Sequence, residues 1–180
     1  MKRIFLIGYM GAGKTTLGKA LARRMNLSYI DTDHYIENRY RKKISEIFSS
    51  EGEERFRNIE NRILLEISEF EDIVISTGGG LPCFNNNMEI MNGLGTTVYL
   101  ETSEKELAAR LGVSKTVRPV LKNRSGDGLI DFIKENLDER RYYYEQAKIQ
   151  FNAELMYTDS DVDALVIKLE KLICDYQEKN

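Results

Sequence analysis

The octapeptide Gly8-Tyr9-Met10-Gly11-Ala12-Gly13-Lys14-Thr15 constrains this chain more than any other stretch. It fits G-x-x-x-x-G-K-[ST], the P-loop pattern, which needs a strand before it and a helix after it. Both are legible: the apolar run Ile4-Phe5-Leu6-Ile7 precedes it, and a helical stretch over 16–24 follows. Glycines let the backbone wrap around phosphate, so successive N–H groups face negative charge, and the helix N-terminus adds partial positive charge. The backbone of Gly11, Ala12, Gly13, Lys14, Thr15 and Thr16 is the expected cradle. Lys14 is expected to reach the β- and γ-phosphates, and the Thr15 hydroxyl to ligate Mg²⁺.

Bulk properties exclude several classes. A chain of 180 residues, 42% hydrophobic and 31% charged, fits one compact α/β domain. The net charge is −3 and the Lys/Arg residues cluster only at 39–43, which argues against a general nucleic-acid grip. An anionic substrate must therefore be held by local positive charge. Cys83 and Cys174 have no metal-ligand spacing, so reduced thiols are expected. No apolar run approaches membrane length, and the first residues lead directly into a strand. The expectation is a cytoplasmic protein without signal peptide or membrane contact.

Apolar runs alternate with helical patterns. Strands are predicted at 3–7, 28–30, 73–76, 97–100 and 154–157, and helices near 14–24, 35–41, 44–48, 53–68, 104–111, 129–146 and 161–176. Such alternation gives βαβ units and a mostly parallel sheet covered on both faces. The exception is 112–128, bounded by glycines and carrying Lys115, Arg118, Lys122 and Arg124. A long basic segment inside a compact domain suits a lid over phosphates, or a solvated loop.

Three further constellations follow predicted strands or lie on helices. Asp31-Thr32-Asp33 follows the second strand, where ligands bind in open parallel sheets. Its carboxylates suit metal and base roles, although Asp33 could instead cap the next helix. Ser76-Thr77-Gly78-Gly79-Gly80 follows the third strand and permits close approach of a substrate to the backbone. No Asp stands where a Walker-B carboxylate is often expected, so Mg²⁺ falls to Thr15, phosphate, water and Asp31. Arg57 borders the apolar stripe Phe56, Ile59, Ile63, Ile67 and alone reads as part of a charged face. Arg140 intrudes on the stripe Ile133, Leu137, Tyr144 and needs a partner, with Arg141 an alternative in the register. His34 reads as a loop or cap residue.

Taken in order, these residues resemble shikimate kinase, a small P-loop family of the nucleoside-monophosphate-kinase-like group. The resemblance spans nearly the whole chain. It rests on the P-loop, D-T-D at 31–33, G-E-x-x-F-R-x-x-E at 52–60, T-G-G-G at 77–80, V-R-P-L-like 117–121 and R-x-x-x-Y at 140–144. It implies a three-layer α/β P-loop fold with a five-stranded parallel sheet of order 2-3-1-4-5. One kinase domain would span 1–180, with acceptor-binding helices about 33–62 and a lid about 112–128. It implies transfer of the ATP γ-phosphoryl group to the 3-hydroxyl of shikimate, with Mg²⁺, by a monomer on the way to chorismate and the aromatic amino acids.

By family pattern Lys14, Asp33 and Arg118 are catalytic. Asp33, Arg57, Gly78, Gly79, Gly80 and Arg140 hold the acceptor, while Arg110 and Arg118 join the P-loop on ATP. Thr15 and Asp31 serve the metal, and 157–161 is the adenine loop. Three features depart from the pattern: 140–144 lacks the usual proline, the lid has extra basic residues, and the adenine loop lacks a clear arginine. A gluconate-type kinase also binds a polyhydroxy carboxylate and is one alternative. The other is a silent nucleotide-binding module, but loss of Lys14, Asp33 or the lid arginine would mark that class and all three are present.

Overall fold

A computed structural model describes residues 2–113 and 126–179. Its first strand, β1 (Arg3–Ile7), has Ile4, Phe5, Leu6 and Ile7 wholly removed from solvent. A strand covered on both faces reads as a continuous apolar run, and this one is central. The other strands are β2 (Ser28–Asp31), β3 (Ile73–Ser76), β4 (Thr96–Glu101) and β5 (Ile149–Asn152). All pairs are parallel, in the order β2-β3-β1-β4-β5.

The helices are α1 (Lys14–Met25), α2 (Thr32–Tyr40), α3 (Ile44–Ile67), α4 (Asn87–Leu94), α5 (Glu104–Val113), α6 (Asp127–Tyr144) and α7 (Asp159–Lys179). They cover both faces of the sheet and make the three-layer arrangement, with α1 packed against α7, α2 against α3 and α5 against α6. Among the described residues no helix is long and apolar enough to cross a membrane.

One expectation needs correction. The fifth strand is Ile149–Asn152 rather than 154–157. At this sheet edge Ile149 and Phe151 point inward while Gln150 and Asn152 face solvent, so the strand alternates instead of presenting an apolar run. The helices predicted at 44–48 and 53–68 are both present as the two arms of α3, which are separated by a kink at the non-helical Gly52 (φ 81°, ψ 170°). A 3₁₀ turn at Leu81–Cys83 and helix α4 were not predicted.

Four carboxyl ends of strands lead into the segments that matter: β1 into the P-loop, β2 into α2, β3 into the triple glycine and β4 into α5. The parallel topology therefore brings residues more than a hundred positions apart to one edge.

Candidate active site

The chain leaves β1 at Gly8 and re-enters regular structure at Lys14, with Gly13 (φ 93°, ψ 12°) as the residue before α1. Only glycine takes that left-handed conformation without strain. Within the loop the Ala12 N–H donates to Tyr9 O at 3.2 Å. Lys14 Nζ donates to the carbonyls of Gly8 (2.7 Å) and Tyr9 (2.8 Å), which folds the ammonium over the loop it would share with phosphate.

Thr15 Oγ1 donates to Asp31 Oδ2 at 3.0 Å. The other Asp31 oxygen accepts from the N–H groups of Asp33 (3.1 Å) and His34 (3.4 Å). Asp31 is thus the N-cap of α2, and Asp33 lies in the first turn rather than at the strand end or the cap. His34 is likewise a first-turn residue. A hydroxyl and a carboxylate oxygen, with no cluster of three metal-ligating side chains among the described residues, suit a hard cation that keeps most of its water. At the end of β3 the Ser76 hydroxyl donates to Lys14 O (2.8 Å), and Thr77 binds Leu6 O with both N–H and hydroxyl.

Each glycine of the triplet faces a different group. A Cβ on Gly78 would stand 2.5 Å from Asp33 Oδ1 and 3.2 Å from Glu60 Oε1. On Gly79 it would meet Gly8 O and Met10 N at 3.5 Å and Arg140 Nη1 at 3.7 Å. On Gly80 it would collide with Arg57 Nη1 at 2.7 Å. The triplet therefore sits where Asp33, the P-loop, Arg140 and Arg57 converge. Its position is fixed from below by Gly78 N–H donating to the buried Thr32 hydroxyl at 2.8 Å.

Arg57 is only 14% exposed. It donates to Glu60 Oε2 (2.6 Å) and Glu53 Oε1 (3.0 Å), and its guanidinium lies 4.1 Å from the centre of the Phe84 ring. Glu60 is buried, and burial pushes its carboxyl up to about 7. The Arg57 charge and hydrogen bond oppose that rise, and the Asp33 charge adds to it. Burial likewise pushes the Cys83 thiol, near both Arg140 and Arg57, up to about 11.

Arg140 lies 5.4 Å above the Tyr9 ring and shares a hydrogen bond with Tyr144, one turn along α6. Arg141 points elsewhere, to Glu104 Oε1 at 3.3 Å. On the other flank of the P-loop, Arg110 donates to Gly11 O (3.3 Å), Ala153 O (2.8 Å) and Glu106 Oε1 (2.8 Å). Arg118 and most of 112–128 lie outside the described residues.

The arrangement has three zones: the phosphate cradle with Lys14 and Thr15, a carboxylate pair with Asp33 and Asp31, and two partly buried arginines across the triplet. A family model described as shikimate kinase matches residues 10–170.

The chain belongs to the shikimate kinase family.

Among its relatives is a shikimate kinase of Parabacteroides distasonis, 57% identical over 173 residues, which cover 96% of this chain and all of that one. A solved shikimate kinase from Bacteroides thetaiotaomicron superposes with a TM-score of 0.93 at 48% identity, over 95% of this chain and 97% of the other. A shikimate kinase from Acinetobacter baumannii, solved in complex with shikimate, gives 0.83 at 31% identity, over 97% and 94%. A gluconokinase from Sinorhizobium meliloti shares the fold alone, with a TM-score of 0.51 at 16% identity over 97% and 96%.

The missing family proline has a structural counterpart: α6 runs unbroken through Tyr144, so Arg140 and Tyr144 share a face. Sequence reasoning gave no role to Glu60, Tyr144, Tyr9, Phe84 or Glu106. For Glu60 a signal existed, since it sits four residues after Phe56 and three before Ile63, a carboxylate inside an apolar stripe. Tyr9 and Phe84 gave none, because their ring contacts with arginines arise only from the tertiary fold.

Proposed function

We propose that this chain transfers the γ-phosphoryl group of ATP to the 3-hydroxyl of shikimate, giving 3-phosphoshikimate and ADP for chorismate and aromatic amino acid synthesis in the cytoplasm. The observation that carries the reading is the convergence on Gly78, Gly79 and Gly80. Gly79 meets the P-loop and Arg140, and its neighbours Gly78 and Gly80 meet Asp33 and Arg57.

Shikimate is a monoanion with three hydroxyls. Two arginines are suited to its carboxylate through charge-assisted, bidentate hydrogen bonds. Arg57 is held edge-on by Glu53 and Glu60 and face-on by Phe84, so little of its rotamer freedom remains to be lost on binding. Asp33 Oδ1 lies against Gly78, where it can accept a hydrogen bond from an acceptor hydroxyl and orient its oxygen for in-line attack. Lys14 exchanges the Gly8 and Tyr9 carbonyls for phosphate oxygens. Thr15 and Asp31 would hold Mg²⁺, whose charge offsets that of the phosphates when it is bound. Arg118, within the lid assigned to 112–128, would add a further positive charge at the transferring group.

The test is ADP release, coupled to a spectrophotometric readout, with ATP, Mg²⁺ and shikimate. Gluconate and nucleoside monophosphates serve as alternative acceptors. Release with shikimate alone is expected. Release with gluconate or a nucleotide in its place would overturn the assignment of the acceptor.

A further inference from the structure

Residues 153–158, read from sequence as part strand and part loop, form an irregular elbow between β5 and α7. Leu155 sits at φ 54° with its side chain 67% exposed. A leucine in the left-handed region is strained, and persists where its surroundings over-determine it.

Several attachments hold this elbow. Ala153 N–H donates to Glu101 O at 2.8 Å, and the Glu154 carboxylate accepts from the Ser103 N–H. Asp161 accepts from the N–H groups of Tyr157 (3.2 Å) and Thr158 (2.8 Å). Finally, the Tyr157 hydroxyl donates to Glu106 Oε2.

The last attachment differs in kind, because Glu106 is buried and its other oxygen is already committed. Oε1 accepts from Arg110 Nε at 2.8 Å, and the remaining Arg110 nitrogens donate to Gly11 O in the P-loop and Ala153 O in the elbow. One carboxylate thus joins α5, the elbow and the P-loop. The elbow also touches the loop directly, since a Cβ on Gly13 would overlap the Met156 methyl group.

Among the described residues, two flanks of the cradle are open to the rest of a nucleotide bound there by its phosphates. The Gly8, Tyr9 and Gly79 side is bordered by Arg140 and leads to Arg57. The Gly11 and Gly13 side is walled by Arg110 and the elbow. We propose that Glu106 and Tyr157 are positioning residues for the base end of the nucleoside triphosphate, a latch that sets Arg110 and the elbow before the nucleotide arrives. This rests on the reading of the P-loop as the nucleotide site. Preorganisation of this kind raises affinity by sparing the ligand the cost of ordering its own wall.

The test compares Tyr157→Phe, Glu106→Gln and the double variant with the parent in calorimetric titrations of ADP, inorganic tripolyphosphate and shikimate. Tyr157→Phe removes one hydroxyl from a ring that is 65% exposed, so it is expected to fold and melt as the parent does. Each single variant should weaken ADP binding by about fivefold to tenfold, and the double no further, since both break the same link. Tripolyphosphate, which fills the cradle but has no base, should bind all four proteins equally, as should shikimate. Unchanged ADP affinity in Tyr157→Phe, while Arg110→Ala binds ADP weakly, would overturn the latch alone. Additive losses, or parallel losses for tripolyphosphate and shikimate, would also overturn it in favour of a structural role. If Arg110→Ala and Lys14→Ala both leave ADP affinity intact, the P-loop reading beneath it fails instead.

Discussion

The Tyr144 hydroxyl donates to the Gly79 carbonyl at 2.6 Å, joining the last turn of α6 to the middle of the triple glycine. Tyr144 is wholly buried, and the same oxygen accepts from Arg140. Its ring lies 5.2 Å from that of Tyr99, on β4 next to Gly8. One phenol thus fixes an arginine proposed for the acceptor relative to both the triplet and the strand beside the P-loop. Tyr144→Phe keeps the ring and removes both hydrogen bonds. Stability should fall by about 1–2 kcal/mol, read from urea denaturation. KM for shikimate should rise several-fold while KM for ATP stays near that of the parent. Equal rises in both would mean the tyrosine acts on the fold alone.

Neighbouring arginines on α6 offer an internal control. Arg140 faces Tyr9 and Tyr144, whereas Arg141 is partly exposed and pairs with Glu104. Arg140→Ala and Arg57→Ala should each weaken shikimate binding by about 2–4 kcal/mol, with much smaller effects on ATP. Arg141→Ala removes an exposed pair and should cost under about 1 kcal/mol of stability with no change in acceptor affinity. Calorimetric titration of shikimate into the three variants checks all of this. A silent Arg140→Ala beside a severe Arg141→Ala would reverse their roles.

Much of this site was legible before any fold was known, because the P-loop, the Asp pair and the glycine triplet each follow a strand. A parallel sheet delivers the residues after its strands to one edge. Arg140 could also be singled out, as a charge on an apolar stripe. The fifth strand was misplaced because an edge strand with two exposed polar residues, Gln150 and Asn152, carries a weaker signal than the apolar run after it. Residues 155–157 are apolar for another reason: Met156 fills space against Gly13. The Asp31 cap was hidden because a D-x-D segment gives either carboxylate the spacing to cap, and only the backbone path decides between them.

Glu60 sets a dependence on pH. Its carboxyl is raised to about 7 in the fold against 4.5 in an exposed glutamate, so the folded state binds the proton more tightly than the unfolded state. The resulting stabilisation is present below pH 4.5 and is lost as pH rises through about 7. Glu60→Gln does not titrate. The stability of the variant relative to the parent should therefore climb between pH 4.5 and 7 and then level off, by up to about 3 kcal/mol. Denaturation curves at half-unit pH steps measure the slope, whatever the constant offset from the altered Arg57 contact. A flat difference would mean that Glu60 ionises in the fold as it does in water.

Lys14 separates fold from turnover. Lys14 Nζ donates to carbonyls of its own loop, so Lys14→Ala should leave the melting temperature within a few degrees of the parent. Turnover at saturating ATP should be lost, because nothing else among the described residues of the loop carries a positive charge to the phosphates. Retention of near-normal kcat would remove the P-loop from the mechanism.

The two aspartates differ by a measurable division of labour. Asp31 caps α2 with one oxygen and holds Thr15 with the other, while Asp33 lies against Gly78 on the side proposed for the acceptor. Asparagine is as good an N-cap as aspartate, so Asp31→Asn keeps the helix start and removes only the charge. Stability should hardly change, while the Mg²⁺ concentration needed for half-maximal rate should rise. Asp33→Asn keeps the side chain's shape and loses the anion that would orient the attacking hydroxyl. Phosphoryl transfer through a loose transition state depends on position more than on base strength. Misplacement of that hydroxyl should lower kcat by about two orders of magnitude or more, with ATP affinity nearly unchanged. Titrating Mg²⁺ and ATP against both variants distinguishes the roles. If Asp33→Asn turns over like the parent, or if Asp31→Asn instead loses kcat at saturating Mg²⁺, the assignment of orienting carboxylate and metal-side carboxylate must be exchanged or dropped.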